Sequence, residues 1–104
     1  MRSVTLLDAV ATTTIGAATS VLNPGEMVGI GASLTAGSAT VDIECTVDPS
    51  WLHSPATAVW QAVATLTLSG AGDKASFRDV LPCLAVRART TSVTTGPVSV
   101  WGVM

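Results

Sequence analysis

The stretch Thr40–Gly70, TVDIECTVDPSWLHSPATAVWQAVATLTLSG, decides the fold. Val41, Ile43, Cys45 and Val47 alternate with Asp42, Glu44, Thr46 and Asp48. A period of two places the apolar set on one face and the polar set on the other, the pattern of a half-buried β-strand. Pro49 stops the ladder because it has no N–H to donate. A loop with Trp51, His53 and Pro55 follows, and a second strand is expected from about Val59 to Leu68. In that strand Trp60, Ala62, Ala64, Leu66 and Leu68 would share a face. The competing reading is one helical turn within 54–64, with Ser54 as cap and Pro55 in first position.

The flanks repeat this grammar. Within 1–20, residues 1–11 read as a first strand or an ordered arm, and 11–20 are the small-residue tract ATTTIGAATS, too rich in Thr for a stable helix. Asn23-Pro24-Gly25 is a turn: Pro presets φ, and Gly accepts the positive φ that follows. From Glu26 to Leu34, Val28, Ile30, Ala32 and Leu34 take one face. Gly29 and Gly31 on the other face signal close approach by another backbone or a bulge.

Ala36-Gly37-Ser38 turns into the Val41 strand, and 69–74 (SGAGDK) forms a loop. Residues 75–80 give a short strand or turn-like segment around Phe77. Pro82 marks a further strand, with Leu84, Val86 and Ala88 opposite Cys83, Ala85, Arg87 and Arg89. After Thr95-Gly96-Pro97, Val98 and Val100 face away from Trp101 and Val103. Frequent turn signals without a sustained 3.6-residue period predict an all-β chain. The expected form is one antiparallel β-sandwich over 1–104, jelly-roll or immunoglobulin-like.

Composition narrows the function classes. Of 104 residues, 48% are apolar and only 12% charged, about half the usual charged share. The uncharged run 9–25 is crowded with Thr, Ser and Gly, so no spanning helix is expected there. MRSVTLLDAVATTT lacks the apolar run of a signal peptide, and the expectation is a soluble protein made in the cytosol. A soluble domain with so few charges is expected to bury apolar surface against another subunit. Net charge is −2 and the basic residues are scattered, so no nucleic-acid partner is expected. Cys45 and Cys83 are expected to be buried free thiols, with pairing open if their strands face each other.

Catalytic patterns are weak. His53 is the lone histidine, no HxH, CxxC or HExxH spacing occurs, and no cofactor or metal is expected. A His53–Asp48 contact is conceivable. Asp42 and Glu44 share a strand face, where carboxylates ordinarily stay solvated and discourage wrong edge pairing. The expectation is no enzyme. Arg87 and Arg89 share a face and either bridge to Asp42 and Glu44 across strands or meet acidic groups of a partner. Of the three indoles, Trp60 suits the core. For Trp51 and Trp101 core packing competes with a subunit contact, as Trp is enriched among interface hot spots, and Trp51 could also stack on a sugar. The interface candidates are Trp51, Trp101, Val103, Arg87 and Arg89.

Several stretches carry a family resemblance: SVLNPGEMVGIGASLTAGSATVDIE (20–44), TVDPSW (46–51) with VWQAV (59–63), FRDVLPCLAVRART (77–90) and the closing VSVWGVM (98–104). Together they resemble a broad group of small virion proteins of tailed bacteriophages. The loop 50–60, SWLHSPATAVW, departs from the compact Asp-Gly turn common in that group. The resemblance implies a non-enzymatic β-sandwich of the virion, assembled in the host cytoplasm. Its expected role is a capsid decoration (cement) protein that forms a trimer or dimer and sits on the major capsid protein or another virion protein. The alternative it leaves is a tail- or fibre-associated module that binds host-surface carbohydrate through Trp51, with His53 and Asp48.

Overall fold

Eight strands form two four-stranded sheets in the computed structural model, which describes residues 3–21, 27–80 and 83–104. The strands are β1 (Ser3–Val10), β2 (Thr19–Ser20), β3 (Met27–Leu34), β4 (Gly37–Thr46), β5 (Gln61–Ser69), β6 (Lys74–Val80), β7 (Ala85–Thr95) and β8 (Val98–Val103). One sheet has the order β1-β8-β3-β6, the other β2-β7-β4-β5, and every pairing is antiparallel. The pairs β4–β5, β3–β6, β2–β7 and β1–β8 nest inside one another, as in a single long hairpin rolled over on itself. That is the jelly roll, built from two Greek keys. It selects between the two topologies left open by the sequence, since an immunoglobulin sandwich does not nest its strands this way.

The core follows the alternation. Val28, Ile30, Ala32 and Leu34 of β3 meet Ala39, Val41, Ile43 and Cys45 of β4 across the sandwich, joined by Leu66, Leu68, Val86, Ala88, Val98 and Val100. Phe77 and Ala75 of β6 pack at its margin, so the tentative 75–80 segment is a full strand. An extra residue between the Thr5–Trp101 and Leu7–Val100 pairs lets consecutive Leu6 and Leu7 both turn inward.

The Thr-rich tract runs along the edge of β7. Gly16 N–H donates to Ala88 C=O (2.8 Å), Thr90 N–H to Thr14 C=O (2.9 Å), and Ile15 bridges Arg89. The buried Thr90 hydroxyl also accepts from Thr14 N–H at 2.7 Å, so that edge of β7 is covered. Gly37, at φ +82°, opens β4 where a side chain would strike the Thr94 carbonyl, which is why glycine stands there.

Several expectations shift. The helical-turn competitor reduces to 3₁₀ turns over Pro49–Leu52 and Pro55–Thr57, and the Ser54 side chain makes no cap. Strand β5 begins at Gln61 instead of Val59, and β7 at Ala85; the Asn23-Pro24-Gly25 turn and Pro82 lie outside the described residues. Val47 does not continue the inward row of β4, which ends at Thr46, and it is 69% exposed. No helix among the described residues is long and apolar enough to cross a membrane.

Candidate functional site

The outer face of the β2-β7-β4-β5 sheet holds the best-defined polar cluster. Glu44 lies opposite Arg87 and Asp42 opposite Arg89 in the β4–β7 ladder. Arg87 Nε donates to Glu44 Oε1 at 2.7 Å, and Arg89 Nη1 stands 4.0 Å from Glu44 Oε2. Asp42 instead accepts from Thr65 Oγ1 (2.8 Å). The expectation that Glu44 is solvated is corrected: its side chain is only 9% exposed.

What covers Glu44 also corrects the reading of Trp60. Ile43 pairs with Ala64 but Glu44 with Ala62, so Val63 is an extra residue that reverses the alternation of β5. Leu66 and Leu68 stay inward, while the chain before Val63 faces the other way. Trp60 therefore leaves the core and lies on Arg87, whose guanidinium carbon is 4.3 Å from the ring centre. Trp51 meets Trp60 edge to face at 5.9 Å. Trp51, Arg87 and Arg89 are thus gathered on one sheet face, and Trp101 and Val103 sit on the other sheet.

The loop carrying Trp51 is pinned by Asp48. Its Oδ1 accepts from Ser50 N–H and its Oδ2 from Val59 N–H, both at 2.9 Å. The Thr46 hydroxyl donates to Val59 C=O at 2.8 Å. Asp48 therefore spends its carboxylate on backbone, and His53 is exposed, with its own N–H donating to Ser50 C=O. Among the described residues the conceived His53–Asp48 contact is not formed.

The bond from Ser50 N–H, then that from Val59 N–H, holds the Asp48 carboxyl below its ordinary pKa. A lowered folded-state pKa contributes stability that is full above the unfolded value and is lost as pH falls through the folded one. Below pH about 4 the loop 49–59 is expected to loosen, shifting Trp51 and Trp60 fluorescence before the sandwich unfolds. In Asp48→Asn that early acid transition should be missing; an unchanged transition would assign it elsewhere.

The outer face of the other sheet is a furrow. Gly29 and Gly31 form its floor, Trp101 and Val103 one wall, and Lys74, Ser76 and Arg78 of β6 the other. Gly31 is glycine because the indole fills its side-chain space: a Cβ there would lie 2.6 Å from Trp101 Cε2. The close approach expected at these glycines is made by a side chain, not a backbone. Trp101 remains 42% exposed, and Met27 (54%) and Val80 (43%) extend the apolar surface along the same face. Among the described residues, neither Lys74 nor Arg78 makes an ion pair.

At one end of the sandwich, Val47, Pro49, Val59 and Val63 ring a cavity of about 490 Å³ with Cys45 and Cys83 in its lining. Both cysteines are free and buried. Replacing either by Ala removes buried apolar surface and should cost about 1–2 kcal/mol in urea unfolding. A change within measurement error would show that the thiols do not fill the core. Among the described residues, no three His, Cys, Asp or Glu side chains gather as metal ligands would.

Charge cluster, furrow and end cavity are the candidate surfaces. Compared with known proteins, the chain matches no family model, no curated sequence and no solved structure.

Proposed function

We propose that the chain is a non-enzymatic structural protein of a bacteriophage virion, a decoration protein that multimerises and sits on the head. The observation that carries this reading is the outer face of the β1-β8-β3-β6 sheet. Trp101, Met27 and Val80 stand open there beside a glycine floor, in a chain that is only 12% charged. Open apolar faces of this kind mark contacts between proteins. The jelly roll is compatible with it, since viral coat proteins use that architecture, although the fold hosts other functions as well. The docking partner is the major capsid protein or another virion protein. Self-association into a trimer or dimer brings several copies of the face to one place, which multiplies weak contacts.

The test is the number of copies per purified particle, measured against the major capsid protein. Hundreds of copies are expected. A dozen or fewer would move the protein to the tail, and none would end the virion reading.

A carbohydrate-binding module of a tail or fibre is the second reading, and the furrow favours it over the Trp51 loop. An indole wall facing Lys74 and Arg78 suits a sugar ring that stacks on one side and carries an acidic group on the other. In that case Trp101→Ala abolishes glycan binding and leaves the oligomeric state untouched.

A further inference from the structure

The end cavity carries an inference independent of the virion reading. Cys45 sits at the end of the inward row of β4, and Cys83 just before the start of β7. Those two segments are joined there by Leu84 N–H donating to Thr46 C=O at 2.8 Å and by the Thr46–Ala85 pair. Both thiols line the same cavity, and Cys83 stands close enough to Cys45 to act on its thiol. Two thiols that line one cavity react as a pair: once one is modified, the other is positioned to displace the modifier.

We propose that Cys45 and Cys83 form a modification site, a dithiol that low-molecular-weight disulfides convert to an intramolecular disulfide at the floor of the end cavity. With oxidised glutathione the steps balance. The Cys83 thiolate attacks one glutathione sulfur, breaking its S–S bond and expelling one glutathione thiolate. The Cys45 sulfur then attacks Cys83 Sγ in the mixed disulfide, loses its proton to water and expels the second glutathione. Two protein thiols are oxidised, and one glutathione disulfide is reduced to two thiols. Burial, with the neighbouring Cys83, pushes the Cys45 thiol well above its ordinary range. This suits Cys45 to the second step, where a sulfur held in the same cavity needs less help than one attacking from solution.

The experiment treats the native wild-type protein with oxidised glutathione at pH about 8, then maps its peptides without reduction. The expected result is loss of both thiols, no retained glutathione and one Cys45–Cys83 linked peptide. The cross-link closes a long loop spanning β5 and β6, so the melting temperature should rise by roughly 5 °C or more, reversibly with dithiothreitol. In Cys45→Ser, glutathione should instead remain attached at Cys83, for want of a second sulfur to displace it. Glutathione retained on the wild type would overturn the proposal, as would cross-linked dimers. So would thiols that stay free while a urea-denatured sample oxidises fully. The wild-type map decides the matter even if the serine variant does not fold.

Discussion

Replacing Arg87 by Ala is expected to destabilise the subunit by about 3 kcal/mol, because it leaves the buried Glu44 carboxylate without its closest cation. Arg89, at 4.0 Å and largely exposed, is too distant to take over. The same change removes the guanidinium beneath Trp60, so the 49–60 loop loses its seat on the sheet. The control is the double variant Glu44→Gln, Arg87→Met, which removes both charges and keeps the bulk. It should recover most of the loss, since neutral groups of similar size bear a much smaller desolvation cost than an unpaired carboxylate. Urea unfolding of the wild type, Glu44→Gln, Arg87→Met and the double variant measures the coupling. A single-variant loss below about 1 kcal/mol would mean the pair behaves as an ordinary exposed ion pair.

Trp101→Ala should weaken self-association or docking by about 2 kcal/mol or more if Trp101 anchors the contact. The half-exposed ring contributes less to the isolated subunit than to an interface that covers it. Gly31→Ala is the companion change. It keeps the indole but drives a methyl group into the space the ring occupies, so Trp101 must lift off the sheet. Both variants should show a smaller particle in light scattering than the wild type. A wild type that stays monomeric and never joins a capsid or tail would defeat the assembly reading.

The sandwich was legible because its signals are local. The alternation of Val41, Ile43 and Cys45 needs no partner to be read, and neither does the turn at Thr95-Gly96-Pro97. The charge pairing was half legible: Arg87 and Arg89 showed as a strand face, and Glu44 as its natural complement. Its burial was not, because that depends on the extra residue Val63, and a one-residue bulge leaves no mark among alanines and valines. The same bulge moved Trp60 from the expected core to the surface. Trp101 and Gly31 are about seventy positions apart, so the glycine showed only that something comes close. Whether Cys45 and Cys83 come together was left open by the sequence, since it depends on how the chain enters β7.

The nesting of the strands has a kinetic consequence. Strands β4 and β5 are consecutive in the chain, joined through residues 47–60, whereas β1 and β8 pair segments at opposite ends of the described residues, Ser3 opposite Val103. Contacts between remote segments form late, since the intervening chain must be ordered first. Trp101 stands on β8 between Thr5 of β1 and Gly31 of β3, so its platform is completed only when the last pair closes. In pulse-labelled hydrogen exchange during refolding, β4 and β5 amides should gain protection before those of β1 and β8. Under the proposed assembly reading, a half-folded chain has no finished docking face to offer, and docking would report that the rest of the subunit is already in place.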